Sequence, residues 1–182
     1  YKVGLIGTIK NIVSSSQELE SVHTTPESVD LYRYFNEMIL DGFDKAVMEV
    51  SSHAIDLFRI EGMKFKTAVF TNLTPEHLDY TMGKMSAELL INKIEGKSFT
   101  YSINDSSSDL YTESYSSDLE GLSFKTAGLF AGEFSLKLSG IFNLYNTLAS
   151  ILSVKQLGVD IDNIKQSLKT MEPVKKKKKK II

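Results

Sequence analysis

The sequence predicts an α/β fold: a mostly parallel, P-loop-like sheet flanked by helices, with a small antiparallel sheet beside it. Three observations carry that expectation. Short apolar runs recur at residues 3–7 (Val-Gly-Leu-Ile-Gly), 46–50 (Ala-Val-Met-Glu-Val) and 67–71 (Thr-Ala-Val-Phe-Thr). Runs this short and continuous suit strands covered on both faces, as parallel strands are. Leu31, Phe35, Met38 and Ile39 repeat at helical spacing between the first two runs, which makes a right-handed βαβ unit. Beyond residue 97 the period falls to two, as in a sheet with one wet face.

The first helix has a clear start, with Thr25 as N-cap, Pro26 at the first helical position and Glu27 in the first turn. Gly42 suits its C-terminal cap. Further on, Phe99, Tyr101 and Ile103 alternate with Ser98, Thr100 and Ser102. Leu122 and Phe124, then Phe134, Leu136 and Leu138, continue the alternation. Two helices close the chain, one carrying Leu144, Leu148, Ile151, Leu152 and Leu157, the other Ile161, Ile164, Leu168 and Met171, with Gly158 between them. Serines 14–16 and 106–108 mark loops.

Composition bounds the function. With 182 residues, 42% hydrophobic and 24% charged, the chain suits one globular domain with its own core. The absence of cysteine excludes disulfides, thiolate-bound metals and a thiol nucleophile. No apolar run approaches the roughly 18 residues that span a bilayer, and no signal-peptide pattern opens the chain. Membrane insertion is not expected, and a cytoplasmic location fits. The net charge is −2, and with the six lysines of residues 175–180 set aside the remainder stands at −8. An acidic body is a poor partner for nucleic acid. Residues 175–182 are therefore expected to be a disordered or artefactual end, and no nucleic-acid partner is expected.

Four polar clusters fall where an open α/β sheet exposes its working edge, outside the carboxyl ends of strands. His23-Thr24-Thr25-Pro26-Glu27-Ser28 brings hydroxyls and free N–H groups to a helix start, suited to an anion, although capping by Thr25 alone also explains it. In Glu49-Val50-Ser51-Ser52-His53, Glu49 is the sole charge of an apolar run. A carboxylate buried there needs a cation, an Arg or a proton; Mg²⁺ and an ion pair with Lys both answer. Arg59 follows with a fork suited to carboxylate or phosphate, or simply a solvated charge.

The third cluster, residues 71–79, contains His77, which suits a metal ligand, a general base or a hydrogen-bonded structural imidazole. The fourth holds Asn143 and Asn146, whose amides can read a base edge or cap a helix. One apparent motif fails. Gly96-Lys97-Ser98 ends like a phosphate-binding loop, but the position of its first glycine is Ile91 and residues 87–94 read as a helix.

Taken in order, Lys2-Val3-Gly4-Leu5-Ile6-Gly7-Thr8, the His23–Ser28 run, Glu49-Val50-Ser51-Ser52-His53-Ala54, Thr71-Asn72-Leu73-Thr74-Pro75-Glu76-His77-Leu78-Asp79-Tyr80 and Phe142-Asn143-Leu144-Tyr145-Asn146 resemble the central ATPase domain of the Mur ligases. The resemblance covers residues 1–174. It implies an ADP-forming, acid–amino-acid ligase that adds the third stem-peptide residue to UDP-N-acetylmuramoyl-L-alanyl-D-glutamate through an acyl phosphate. The implied partners are that nucleotide dipeptide, ATP and an amino acid, either meso-diaminopimelate or L-lysine, with Mg²⁺ as cofactor. The implied Mg²⁺ ligands and catalytic groups are Glu49 and His77. Thr24, Thr25, Ser51 and Arg59 would hold the UDP-muramoyl-dipeptide, Asn143 and Asn146 the adenine, and the protein would be a monomer. An inactive muramoyl-nucleotide-binding module and a folylpolyglutamate- or cyanophycin-type ligase are the alternatives.

The departures from the family pattern are specific. The family's phosphate-binding loop would precede Lys2, and its flanking UDP-binding and amino-acid-binding domains have no counterpart in these residues. A carbamylated lysine would stand fourteen residues beyond His77, where this chain has Ile91; neither Lys84 nor Lys93 replaces it. The text jumps near residues 82–83, and deleting a central strand would leave backbone groups unpaired; a longer protein written without those residues is the expectation. These 182 residues alone are therefore expected to release no ADP when assayed with the muramoyl dipeptide, Mg²⁺, ATP and an amino acid.

Overall fold

A computed structural model describes residues 1–71 and 97–172. They fall into two units, residues 1–65 and residues 66–71 with 97–172. The third polar cluster from residue 72 onward, including His77, lies outside the described residues, as do the proposed jump and the lysine run.

In the first unit β1 (Val3–Ile6), β2 (Lys10–Ile12), β3 (Glu18–Glu20) and β4 (Lys45–Met48) form one sheet in the order β3-β2-β1-β4. β1 and β4 run parallel, pairing Val3 with Lys45 and Ile6 with Met48, and α1 (Ser28–Leu40) makes the crossover. That is the expected βαβ unit. The sheet itself is mixed rather than mostly parallel, because β2 and β3 are antiparallel additions. Their three-residue sequences, Lys-Asn-Ile and Glu-Leu-Glu, are too short and polar to show a strand period. Residues 67–71, expected as a third parallel strand, belong to no ladder among the described residues.

α1 begins later than expected. Its N-cap is Glu27, without a side-chain cap bond, and Pro26 precedes it. Leu31 and Met38 turn inward to a small core with Ile6 and Val13, and Phe35 packs against it. Ile39, expected on that face, is 71% exposed. Gly42, at φ +74°, ends the helix in the left-handed conformation that glycine adopts without steric cost.

The second unit is a sheet in the order β5-β6-β7-β8, formed by Tyr101–Ser102, Leu110–Ser117, Leu122–Gly128 and Gly132–Leu136. β5 pairs parallel with β6; the other pairings are antiparallel, as the alternation predicts. Phe124 faces Phe134 across β7 and β8, with ring centroids 5.3 Å apart. α3 (Ile141–Gln156) and α4 (Ile161–Thr170) supply Leu144, Leu148, Ile151, Leu152, Ile164 and Leu168 to the same core as Leu122, Phe124, Phe134 and Leu136. Each such fully buried leucine contributes roughly 2 kcal/mol through apolar area removed from water. Gly121 is required at its turn: at φ +143° an added Cβ would sit 2.1 Å from the Leu136 carbonyl oxygen.

One polar staple closes the first unit at the amino ends of β1 and β4. Asp41 Oδ2 accepts from the Ser15 hydroxyl at 2.7 Å, the Ser15 amide, and Lys2 Nζ at 3.0 Å. The Ser15 hydroxyl first, then its amide and Lys2, hold the Asp41 carboxyl down to about 2. A carboxyl lowered on folding stabilises above its unfolded value of about 4, and that contribution disappears as the pH falls towards 2. Asp41→Asn should flatten this part of the acid-denaturation profile, read as denaturant midpoints between pH 5 and 2; an unchanged slope would rule the staple out.

Candidate functional site

Parallel pairing sets the first contact of the site. Because β1 and β4 run side by side, the residues just beyond their carboxyl ends, Thr8 and Glu49, become neighbours although 41 positions apart. The Glu49 amide extends the ladder by one bond to the Ile6 carbonyl at 2.9 Å. The Glu49 side chain is exposed, not buried in the strand as expected, since the strand stops at Met48. Its Oε2 accepts from the Thr8 amide at 3.0 Å and from the Thr8 hydroxyl. The turn presenting Thr8 is held by buried Asn11, whose Oδ1 accepts from the Gly7 amide at 3.1 Å.

Thr25 is the internal brace. It is 1% exposed, and its hydroxyl donates to the Glu49 carbonyl at 3.0 Å while accepting from the Ser51 amide at 3.1 Å. Those two bonds explain why it does not cap α1: its hydroxyl is committed to the loop after β4. Thr24, one residue earlier, is half-buried, with its Oγ1 3.1 Å from Thr8 Oγ1. Ser51 caps α2 (Ser52–Asp56), its Oγ accepting from the Ala54 amide at 3.2 Å.

After α2 the chain reverses through Phe58 at φ +55° and returns Arg59 towards Thr25. Arg59 Nη1 donates to the Thr25 carbonyl at 2.8 Å, and Nη2 lies 2.6 Å from Glu27 Oε1. The Arg59 side chain is only 15% exposed, whereas Glu27 is 60% exposed, so the ion pair itself contributes little. Arg59 Nε is buried with no hydrogen-bond partner among the described residues.

The structure thus brings together Thr24, Thr25, Glu49, Ser51 and Arg59 from three separate segments. Sequence reasoning missed Thr8, Glu27 and Asn11. Thr8 stood inside a quoted motif, and its place at a strand end was the available signal. Asn143 and Asn146 stand in the second unit on the first turns of α3, whose N-cap is Gly140. Asn143 Nδ2 donates to the Ser139 carbonyl at 2.7 Å, and Asn146 is exposed. Among the described residues no group of three His, Cys, Asp or Glu side chains is gathered for a metal. A single carboxylate flanked by hydroxyls still suits a hard cation such as Mg²⁺, which takes one or two carboxylates and fills its shell with water and phosphate.

This βαβ edge belongs to a Mur ligase. Residues 1–89 match the family model described as the Mur ligase middle domain, and the chain belongs to the Mur ligase family. Three curated relatives carry the name UDP-N-acetylmuramoyl-L-alanyl-D-glutamate--2,6-diaminopimelate ligase. The one from Alkaliphilus oremlandii is 37% identical over 94% of this chain and 41% of its own length. Those from Clostridium botulinum and Caldanaerobacter subterraneus are 34% and 35% identical, over 96% and 92% of this chain and 41% and 39% of theirs. The chain therefore spans about 41% of the relatives it matches.

A solved structure of a ligase of the same name superposes with a TM-score of 0.80 at 20% identity, over 96% of this chain and 42% of that one. The UDP-N-acetylmuramoylalanyl-D-glutamyl-2,6-diaminopimelate--D-alanyl-D-alanyl ligase of Acinetobacter baumannii superposes at 0.62 and 16% identity, over 78% and 38%. At such identities these likenesses establish the fold.

Thr25→Val keeps the shape of the side chain but strands the part-buried Ser51 amide and Glu49 carbonyl. It should cost about 1–3 kcal/mol in denaturant unfolding. A variant as stable as the wild type would show that the brace is dispensable.

Proposed function

We propose that this chain is the ATP-handling middle part of an ADP-forming ligase that joins 2,6-diaminopimelate, rather than L-lysine, to UDP-N-acetylmuramoyl-L-alanyl-D-glutamate. The observation that carries the reading is the cluster of Thr8, Thr24, Thr25, Glu49, Ser51 and Arg59 beyond the ends of β1 and β4. Family membership and the names of the relatives support these substrates. A carboxylate is a poor electrophile, so its oxygen first attacks the terminal phosphorus of ATP and ADP leaves. The amine then attacks the acyl carbon, phosphate departs, and the nitrogen loses a proton.

The protein's share is positioning. Thr8 fixes the Glu49 carboxylate by two hydrogen bonds to one oxygen. Thr25 holds Ser51 and the Glu49 backbone in register, and Arg59 locks the Thr25 carbonyl. Thr24 and Ser51 would then present hydroxyl oxygens to the nucleotide dipeptide, with Arg59 adding positive charge. Glu49, with His77, would hold Mg²⁺, which when bound neutralises phosphate charge. By the family resemblance, Asn143 and Asn146, one turn apart on α3, would lie near the adenine. No helix among the described residues is long and apolar enough to cross a membrane. The reading carries a cytoplasmic location, since its ATP and nucleotide-linked substrate are water-soluble.

The full-length protein containing this chain should release ADP only when ATP, Mg²⁺, the UDP-linked dipeptide and meso-diaminopimelate are all present. Glu49→Gln should lower that rate by roughly 100-fold. Equal turnover with L-lysine would overturn the choice of amino acid, and ADP release indifferent to the dipeptide would overturn the reaction.

A further inference from the structure

Thr8 touches both Glu49 and Thr24 with its side chain. Its hydroxyl contacts Glu49 Oε2 and lies 3.1 Å from Thr24 Oγ1, and its amide gives Glu49 Oε2 a second bond at 3.0 Å. A threonine hydroxyl has one proton, and an ionised carboxylate only accepts. The Thr8 proton therefore goes to Glu49, so the proton in the Thr8–Thr24 contact comes from Thr24. The chain of donation runs Thr24 to Thr8 to Glu49 in one direction.

We propose that Thr8 is a positioning residue that couples the substrate-side hydroxyl of Thr24 to the cation-side carboxylate of Glu49, leaving Thr24 able only to accept hydrogen bonds from substrate. The inference rests on the proposed ligase reading and deepens it. Two consequences follow from the direction of donation. Both donors from Thr8 converge on Oε2, so the carboxylate is held in one rotation, and Oε1, without a hydrogen bond among the described residues, would be left for a cation. Thr24, its proton spent, meets an N–H of the ligand, such as the amide of a peptidyl group, in preference to a phosphate or carboxylate oxygen. Binding at Thr24 strengthens the donation along the relay and so steadies Glu49.

Thr8 is exposed, so Thr8→Val removes the hydroxyl without a core defect and retains the backbone bond; Thr8→Ser retains both. The test is Mn²⁺ binding to the full-length protein, by titration calorimetry without nucleotide, beside the KM and kcat of amide formation. Thr8→Val should weaken Mn²⁺ about 10-fold and raise the KM for the UDP-linked dipeptide, while Thr8→Ser stays within about twofold of wild type. In a Glu49→Gln background the valine substitution should add less than about twofold, as coupled groups require. Wild-type Mn²⁺ affinity in Thr8→Val, or a full loss that persists beside Glu49→Gln, would overturn the role of Thr8 alone. A wild type that neither binds Mn²⁺ nor forms the amide would overturn the ligase reading and this inference with it.

Discussion

The parallel pairing of β1 with β4 is the constraint on which the first unit depends. It is a ladder of four residue pairs, from Val3 with Lys45 to Ile6 with Met48. A shift of one residue would turn every side chain of β4 to the other face. It would also carry Glu49 away from Thr8 and break the bond from the Glu49 amide to the Ile6 carbonyl. The hydrogen bonds of the site thus inherit their register from the sheet, and the Asp41 staple secures the far end of the same strands.

The second layer of order is polar. Thr25 is a buried residue whose side chain makes both a donating and an accepting bond, leaving its hydroxyl satisfied. Arg59 is held through the Thr25 carbonyl, so one residue fixes the loop after β4 with its hydroxyl and the turn after α2 with its backbone. The labour is divided: Thr25 braces, whereas Thr24 and Ser51 are half-buried and Glu49 is exposed.

Much of this was legible in the sequence. The apolar runs at residues 3–7 and 46–50 located the parallel pair, and the Leu31–Met38 spacing located its crossover. The alternation at Leu122, Phe124, Phe134 and Leu136 located two strands, and the leucine spacing located both closing helices. What escaped was decided by tertiary partners. Thr25 reads as a cap until Glu49 and Ser51 claim its hydroxyl, and Glu49 reads as a buried acid because its run looks longer than the ladder. β2 and β3 lack any period because three residues hold too little pattern. β6 (Leu110–Ser117), rich in serine and tyrosine, takes its form from pairing with β7.

The bonds that build the site join residues 24, 26, 34 and 41 positions apart. Closing such loops costs chain entropy before any of these contacts can repay it. The β2–β3 hairpin and α1 can form from neighbouring residues, but Thr8, Thr25 and Arg59 meet their partners only after β4 has docked. Competence at this edge is consequently a late event in folding. A chain caught halfway would hold much of its secondary structure and none of its grip on a ligand.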